Sequence, residues 1–155
     1  MMKNVLIKRE YDYAIRICAF LAGHYQQGAM PLSLISDRLL IPNSFARKIV
    51  HKLRLSGMIN SVQGKYGGIL LSKQPDQISI LDILEAMDYN SAVNECLVNP
   101  AICPLVNLCK IHIFFSEVNS MVLNAFREKK ISDFAITEND LQPNHTSHKE
   151  EKAVL

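Results

Sequence analysis

The stretch from Leu32 to Ser72 constrains the fold most, because its hydrophobic period changes within it. Residues 32–39, LSLISDRL, place Leu32, Ile35 and Leu39 on one helical face. The next four residues, LIPN, interrupt that pattern, since proline is tolerated only near a helix start and asparagine is a good cap. A second helix is therefore expected to begin at 42–44 and to run through SFARKIVHKLRLS, with Gly57 and the apolar Met58 as its stop. Beyond Gly57, MINSV and ILLS are short β-type runs joined by QGKYGG, whose glycines permit the positive φ angles of a hairpin loop. Two helices across a tight turn, then a glycine-rich hairpin, is the order of a winged helix-turn-helix.

The flanks extend this frame. YDYAIRICAFL, from Tyr11 to Leu21, reads as a first helix with Asp12 in its first turn and Gly23 beyond its end. Cys18 lies on its apolar side and is expected in the core. Ser79 caps ILDILEAM, and residues 89–103 are irregular. A long helix is expected from Pro104 to Lys130. Its residues Leu108, Ile111, Phe115, Val118, Val122 and Ala125 follow the 3-4 alternation of a coiled-coil seam. Phe114, Met121 and Phe126 widen that face, so one side can meet a partner and the other this chain's own domain. A homodimer is expected, with a single helix packed on its own core as the alternative. From Glu138 onward the chain is polar and aperiodic, so His145 and His148 read as solvated. The expected architecture is mainly α with a small β-hairpin wing. A winged helix-turn-helix DNA-binding domain spans 1–88, a cluster-binding loop 89–109, a dimerisation helix and C-terminal helix 104–135, and a disordered tail 136–155.

The formal net charge of +2 conceals an asymmetry. Residues 1–75 carry eleven Lys/Arg against three Asp/Glu, whereas residues 76–155 carry six against twelve. No acid lies between Asp37 and Asp76. Such a block suits a polyanion, because each neutralised phosphate releases condensed counterions. Within it, Ser44, Arg47, Lys48, His51 and Lys52 recur at intervals of three and four, giving a polar, basic face opposite Phe45, Ile49, Val50 and Leu53. Arg and Lys donate to guanine edges and Ser to base or phosphate, so double-stranded DNA is the expected partner of this face. Lys65 and Tyr66, in the hairpin loop, would lie over the adjacent backbone or minor groove. The alternative use of such a face is a protein contact.

Cys96, Cys103 and Cys109 stand at C-x6-C-x5-C spacing within 14 residues. The N-terminal MMKNVLIKRE has no apolar h-region, and no segment reaches the roughly 20 apolar residues that span a bilayer. No membrane partner is expected, and the cytoplasm is the expected compartment. There, clustered cysteines read as metal ligands or reactive thiols rather than disulfides. An iron-sulfur cluster takes four ligands, mostly thiolate, so one remains to be supplied. Zinc, which favours C-x2-C pairs, is the alternative metal, and a purely structural set of cysteines the non-metal one. His112, one helical turn after Cys109, and Asp12, far off in the first helix, are both candidate fourth ligands, and spacing does not choose between them. An enzyme built on Cys109 and His112 would need a third orienting group, and there is no phosphate loop or nucleotide fingerprint. No catalysis and no small-molecule substrate are expected.

Taken together, YDYAIRICAFLA, PLSLISDRLLIPNSFARKIVHKLRLSGMI, SVQGKYGG, the three cysteines and LNAFREKKISDFA resemble the Rrf2 family of bacterial transcription regulators over residues 4–135. The resemblance implies a winged-helix domain joined to a long dimerisation helix, with an iron-sulfur cluster near the dimer interface. It also implies a repressor or dual regulator of a palindromic operator, sensing iron, redox or nitric oxide status. In one branch of the family an aspartate of the first helix, contributed by the other subunit, completes a four-iron four-sulfur site, and Asp12 matches it. In another, a histidine three residues after the last cysteine completes a two-iron two-sulfur site, and His112 matches that. Asp12 is the favoured assignment, because a carboxylate reaching across subunits would link the DNA-binding domain to cluster state. The wing begins Gln63-Gly64 where the family often has Arg-Gly.

Overall fold

The computed structural model describes residues 6–90 and 92–141. Helix α1 (Arg9–Gly23) runs through the centre, and its Ala14, Ile17, Cys18 and Phe20 are fully buried. Helices α2 (Leu32–Leu39) and α3 (Asn43–Leu55) pack on it through Ile35, Ala46, Ile49 and Leu53. Their connection turns at Leu40, whose φ of 53° ends α2, while the Ile41 amide donates back to the Ser36 carbonyl at 3.0 Å. Pro42 takes the cap position. Asn43, expected as the cap, is instead the first helical residue, and its Oδ1 accepts from the buried Ser36 hydroxyl at 3.5 Å.

Strands β1 (Ile59–Val62) and β2 (Gly68–Leu71) form the antiparallel wing, registered from Ile59 against Leu71 to Val62 against Gly68. Met30 and Ile69 exchange two backbone hydrogen bonds of 2.9 Å, which ties the wing to the segment before α2. A side chain on Gly68 would overlap the Met30 carbonyl, so only glycine allows that approach. Helix α4 (Ile80–Ala86) starts with a capping box, in which the Asp82 amide donates to Ser79 Oγ at 3.0 Å and the Ser79 amide to Asp82 Oδ2 at 2.7 Å. Ile83 and Leu84 complete the core.

The last third departs from expectation in three places. Helix α6 spans Lys110–Glu128, six residues shorter at its start than the pattern from Pro104 suggested. The reason is local: Cys109 is extended, with ψ 110°, and its sulfur accepts the His112 amide at 3.4 Å, so Cys109 is the cap and Pro104 lies outside the helix. The expected seam is also divided. Leu108 lies before the helix, Ile111 and Ala125 are exposed, and Phe115, Val118 and Val122 are half-buried. The row Ile111, Phe114, Val118, Met121 and Ala125, again at 3-4 spacing, is exposed except at the half-buried Val118. Finally, the segment assigned to a tail from residue 136 is packed as far as residue 141.

That packed segment is a strap. After α6, Ile131 is fully buried and its amide donates to the Ile78 carbonyl at 2.8 Å. The Ile136 amide donates to the Ala19 carbonyl at 2.9 Å, and Glu138 reaches Arg38 of α2 at 3.1 Å. Polarity suggested disorder because backbone pairing and a single ion pair leave no hydrophobic period in a sequence. Residues 142–155, with His145 and His148, lie outside the described residues, as do 1–5 and Ser91. Gly23 is the contact point of the strap, since a Cβ there would overlap the Ile136 carbonyl. Gly23→Ala is expected to cost about 1–3 kcal/mol, the usual size of an overpacked site. A urea unfolding curve with an unchanged midpoint would mean the strap does not sit there.

Candidate DNA-reading face and cysteine loop

Helix α3 turns Ala46, Ile49, Val50 and Leu53 to the core and leaves Ser44, Arg47, Lys48 and His51 exposed. These four expected contact residues share one outward face. Two neighbours differ from expectation. Phe45, assigned to the apolar face, is exposed and meets Tyr13 edge-on at 6.2 Å, with the Arg9 guanidinium 5.9 Å above the Tyr13 ring. Lys52 is half-buried, and its ammonium donates to Asp88 Oδ2 at 3.1 Å. That hydrogen bond to Asp88 holds the Lys52 pKa above the ordinary lysine value. Arg54 adds a further cation on the exposed side. In the wing, Lys65 and Tyr66 are exposed, with the Lys65 ammonium 5.6 Å from the Tyr66 ring.

The cysteine loop is built from short turns. Asn94 caps α5 (Glu95–Val98), accepting the Cys96 amide at 3.4 Å, and 3-10 turns at Pro100–Ile102 and Val106–Leu108 follow. The Val93 amide donates to Asn119 Oδ1 at 3.3 Å, which ties the loop's start to the middle of α6. Cys96, Cys103 and Cys109 are half-buried free thiols. His112 joins two of them: its Nδ1 lies 3.2 Å from Cys96 Sγ, and its amide donates to Cys109 Sγ. The Cys109 sulfur stands at the N-terminus of α6, the positive end of the helix dipole. Cys103 occupies the end of the first 3-10 turn. Among the described residues no three His, Cys, Asp or Glu side chains already converge as metal ligands. Asp12 stays on its own helix, paired with Arg16 at 2.9 Å. Cys18 is different in kind, because complete burial pushes its thiol up to about 12, leaving it an uncharged core group.

The donor set therefore suits a soft metal centre in composition. Three accessible thiols sit with an imidazole on one short stretch, and the inert fourth thiol is elsewhere. Two participants carry little signal in the sequence. Asn119 reads as one more polar residue on a helix. Asp88 stands 36 residues from the lysine it pairs with.

Comparison with known proteins agrees with this layout. Residues 7–137 match the Rrf2 family, described as iron-dependent transcriptional regulator. The chain is 24% identical over 139 residues to the HTH-type transcriptional regulator NsrR of Shouchella clausii, covering 84% of this chain and 89% of that protein. It is 30% identical over 110 residues to the regulator IscR of Aliivibrio salmonicida, covering 71% of this chain and 65% of the other. The crystal structure of CymR, named the global cysteine regulator of B. subtilis, superposes with a TM-score of 0.69 at 22% identity, covering 87% of this chain and 97% of CymR, which shows the shared fold. Among the described residues no helix is long and apolar enough to cross a membrane. The fold is a mainly helical winged helix-turn-helix with a two-stranded wing, and the chain belongs to the Rrf2 family of transcriptional regulators.

Proposed function

We propose that this protein is a homodimeric, iron-sulfur-cluster-dependent DNA-binding regulator, a repressor in its simplest mode, whose operator affinity follows iron, redox or nitric oxide status. Residues 1–88 read the operator, 89–109 bind the cluster and the helix within 104–135 dimerises. Cys96, Cys103 and Cys109 are the thiolate ligands. The sequence favours Asp12 of a second copy as the fourth; the contact of His112 with Cys96 leads us to place His112 there instead, with Asp12 as the alternative. The observation that carries the reading is the placement of His112 between Cys96 and Cys109, its imidazole 3.2 Å from the first sulfur and its backbone N–H donating a hydrogen bond to the second. A four-iron four-sulfur or two-iron two-sulfur cluster held there would supply a centre reactive toward oxidants and nitric oxide. Because the loop ends in the cap of α6 and is tied to Asn119, a change in the loop reorients α6, and with it the separation of the two recognition helices in a dimer.

A second reading is a cluster-free thiol or zinc sensor on the same fold, favoured by the thiol–imidazole contact of Cys96 and His112. The visible spectrum of anaerobically purified protein separates the two. A brown, sulfide-bearing protein supports the cluster, and a colourless protein with or without zinc supports the second reading.

For the DNA face, Arg47→Ala is expected to cost about 1–3 kcal/mol on a duplex selected from a random library and to relax its sequence preference. Lys65→Ala should instead weaken selected and scrambled duplexes alike, with the salt slope reduced by about one. Titrations of both variants at several salt concentrations check this. Uniform weakening by Arg47→Ala, with preference intact, would place the wrong side of α3 in the groove.

A further inference from the structure

Among the described residues, one cation of α3 is ion-paired, and its partner is placed by an unusual backbone. Asp88 follows α4 with φ 62°, in the left-handed region where Gly, Asn and Asp are the residues most often found. The Asp88 amide donates to Glu85 and the Tyr89 amide to the Leu84 carbonyl, both at 3.0 Å, which is the hydrogen bonding of a helix terminus that ordinarily ends in glycine. At this position the chain carries a carboxylate, and it is directed at Lys52.

Lys52 is not a random surface lysine. Ser44, Lys48 and Lys52 fall at successive intervals of four, so they stack on one row of α3, the row that begins at the helix's DNA-reading end. The Asp88 side chain is 82% exposed and that of Lys52 43% exposed, so their pairing contributes little to stability, about 0–1 kcal/mol. Aspartate is tolerated by this backbone, and the exposed pair is too weak to serve as a stability device. It is well suited to a different task, since a carboxylate that weakly holds a lysine competes with a phosphate for the same ammonium. Asp88 is also mechanically tied to the regulatory half of the molecule. The next residue, Tyr89, packs edge-on against Tyr11 of α1 at 5.3 Å and Phe126 of α6 at 6.4 Å, and the chain then enters the cysteine loop.

We infer that Asp88 is an intramolecular competitor for DNA phosphate, a positioning residue that holds Lys52 off the duplex and so limits the affinity of α3 according to the placement of the 88–109 segment. The inference rests on the reading of α3 as the DNA-binding helix. Engagement with DNA exchanges the Lys52 ammonium from the Asp88 carboxylate to a backbone phosphate, and any shift of the loop that withdraws Asp88 makes the exchange easier.

The test uses the full chain and a fluorescein-labelled duplex of mixed sequence, because a phosphate contact does not depend on sequence. Asp88→Asn keeps the shape of the side chain and tolerates the left-handed backbone while removing the charge. Asp88→Gly, which also accepts that backbone, is the second variant. Both are expected to bind about two- to fivefold tighter, with the slope of log affinity against log salt steeper by about one. In a Lys52→Ala background the same substitutions should change neither quantity. If Asp88→Asn has the same effect with and without Lys52, the carboxylate acts by general repulsion and the pairing role is wrong. If it has no effect while Arg47→Ala weakens binding to a duplex selected from a random library, the inference fails and the DNA-reading face stands. If Arg47→Ala also leaves binding to the selected duplex unchanged, α3 is not the contact and both fall.

Discussion

Met121→Glu is expected to turn a dimer into a monomer and to lower affinity for a palindromic operator by about a hundredfold or more, because two linked half-sites then bind independently. None of the nineteen residues of α6 is fully buried, although the helix is rich in large apolar side chains. Met121 is 70% exposed and Ile111 65%, with Phe114 beside them on the outward row. At about 1.5 Å per residue, the row from Ile111 to Ala125 is roughly 20 Å long, enough for a seam of two helices. A glutamate on an exposed row leaves the fold of one chain within about 0.5 kcal/mol, the usual range for surface substitutions. In a symmetric pair the same substitution buries two carboxylates without partners, which costs several kcal/mol. Sedimentation equilibrium reads the result directly. A dimer that survives Met121→Glu but is lost with Leu105→Glu would move the interface from α6 to the cysteine loop, where Leu105 and Leu108 are also exposed.

The apolar periods and punctuation of residues 11–87 made the DNA-binding half legible, since each helix there buries one face on a shared core and each stop is a residue with a specific backbone preference. Legibility fell where single polar contacts decide the structure. Pro104 looked like a helix start because proline is at home in a first turn, yet the sulfur of Cys109 caps the helix five residues later, and a cysteine cap is not a sequence signal. Val118 could be placed on a seam, but which of two adjacent apolar rows faces outward depends on Phe126 packing against the chain's own core, with Phe115 and Val122 half-buried on the same side of the helix. The strap at 136–141 is held by backbone pairing with Ala19 and by Glu138 on Arg38, neither of which leaves a period. The basic face of α3 was readable as a row of charges, whereas the withdrawal of Lys52 from it depends on a backbone angle at Asp88. The cysteine loop was readable as chemistry and not as geometry. Spacing could not rank Asp12 against His112, and the contacts that bear on the choice are an imidazole 3.2 Å from Cys96 and a carboxylate already paired with Arg16.

Alanine at Cys96, Cys103 or Cys109 is expected to remove bound iron and sulfide, and alanine at Cys18 to leave both in place. The contrast follows from what each sulfur can do. A ligand must be a thiolate with access to the metal, and the three loop thiols are only partly buried. Cys18 is fully enclosed by the core, and burial pushes its thiol up to about 12, so ionising it for a metal would cost what its present role as a small hydrophobe does not. Cys18→Ala leaves a small cavity, and a modest drop in unfolding midpoint with full iron content is its expected signature. The fourth ligand is tested on the same assay. His112→Ala should change the visible spectrum, because its imidazole already adjoins Cys96, whereas Asp12→Ala should leave the spectrum intact and free only the exposed Arg16. A spectrum altered by Asp12→Ala and untouched by His112→Ala would show that a second copy completes the site across the dimer. Iron lost from Cys18→Ala but kept by Cys96→Ala would overturn the ligand set itself.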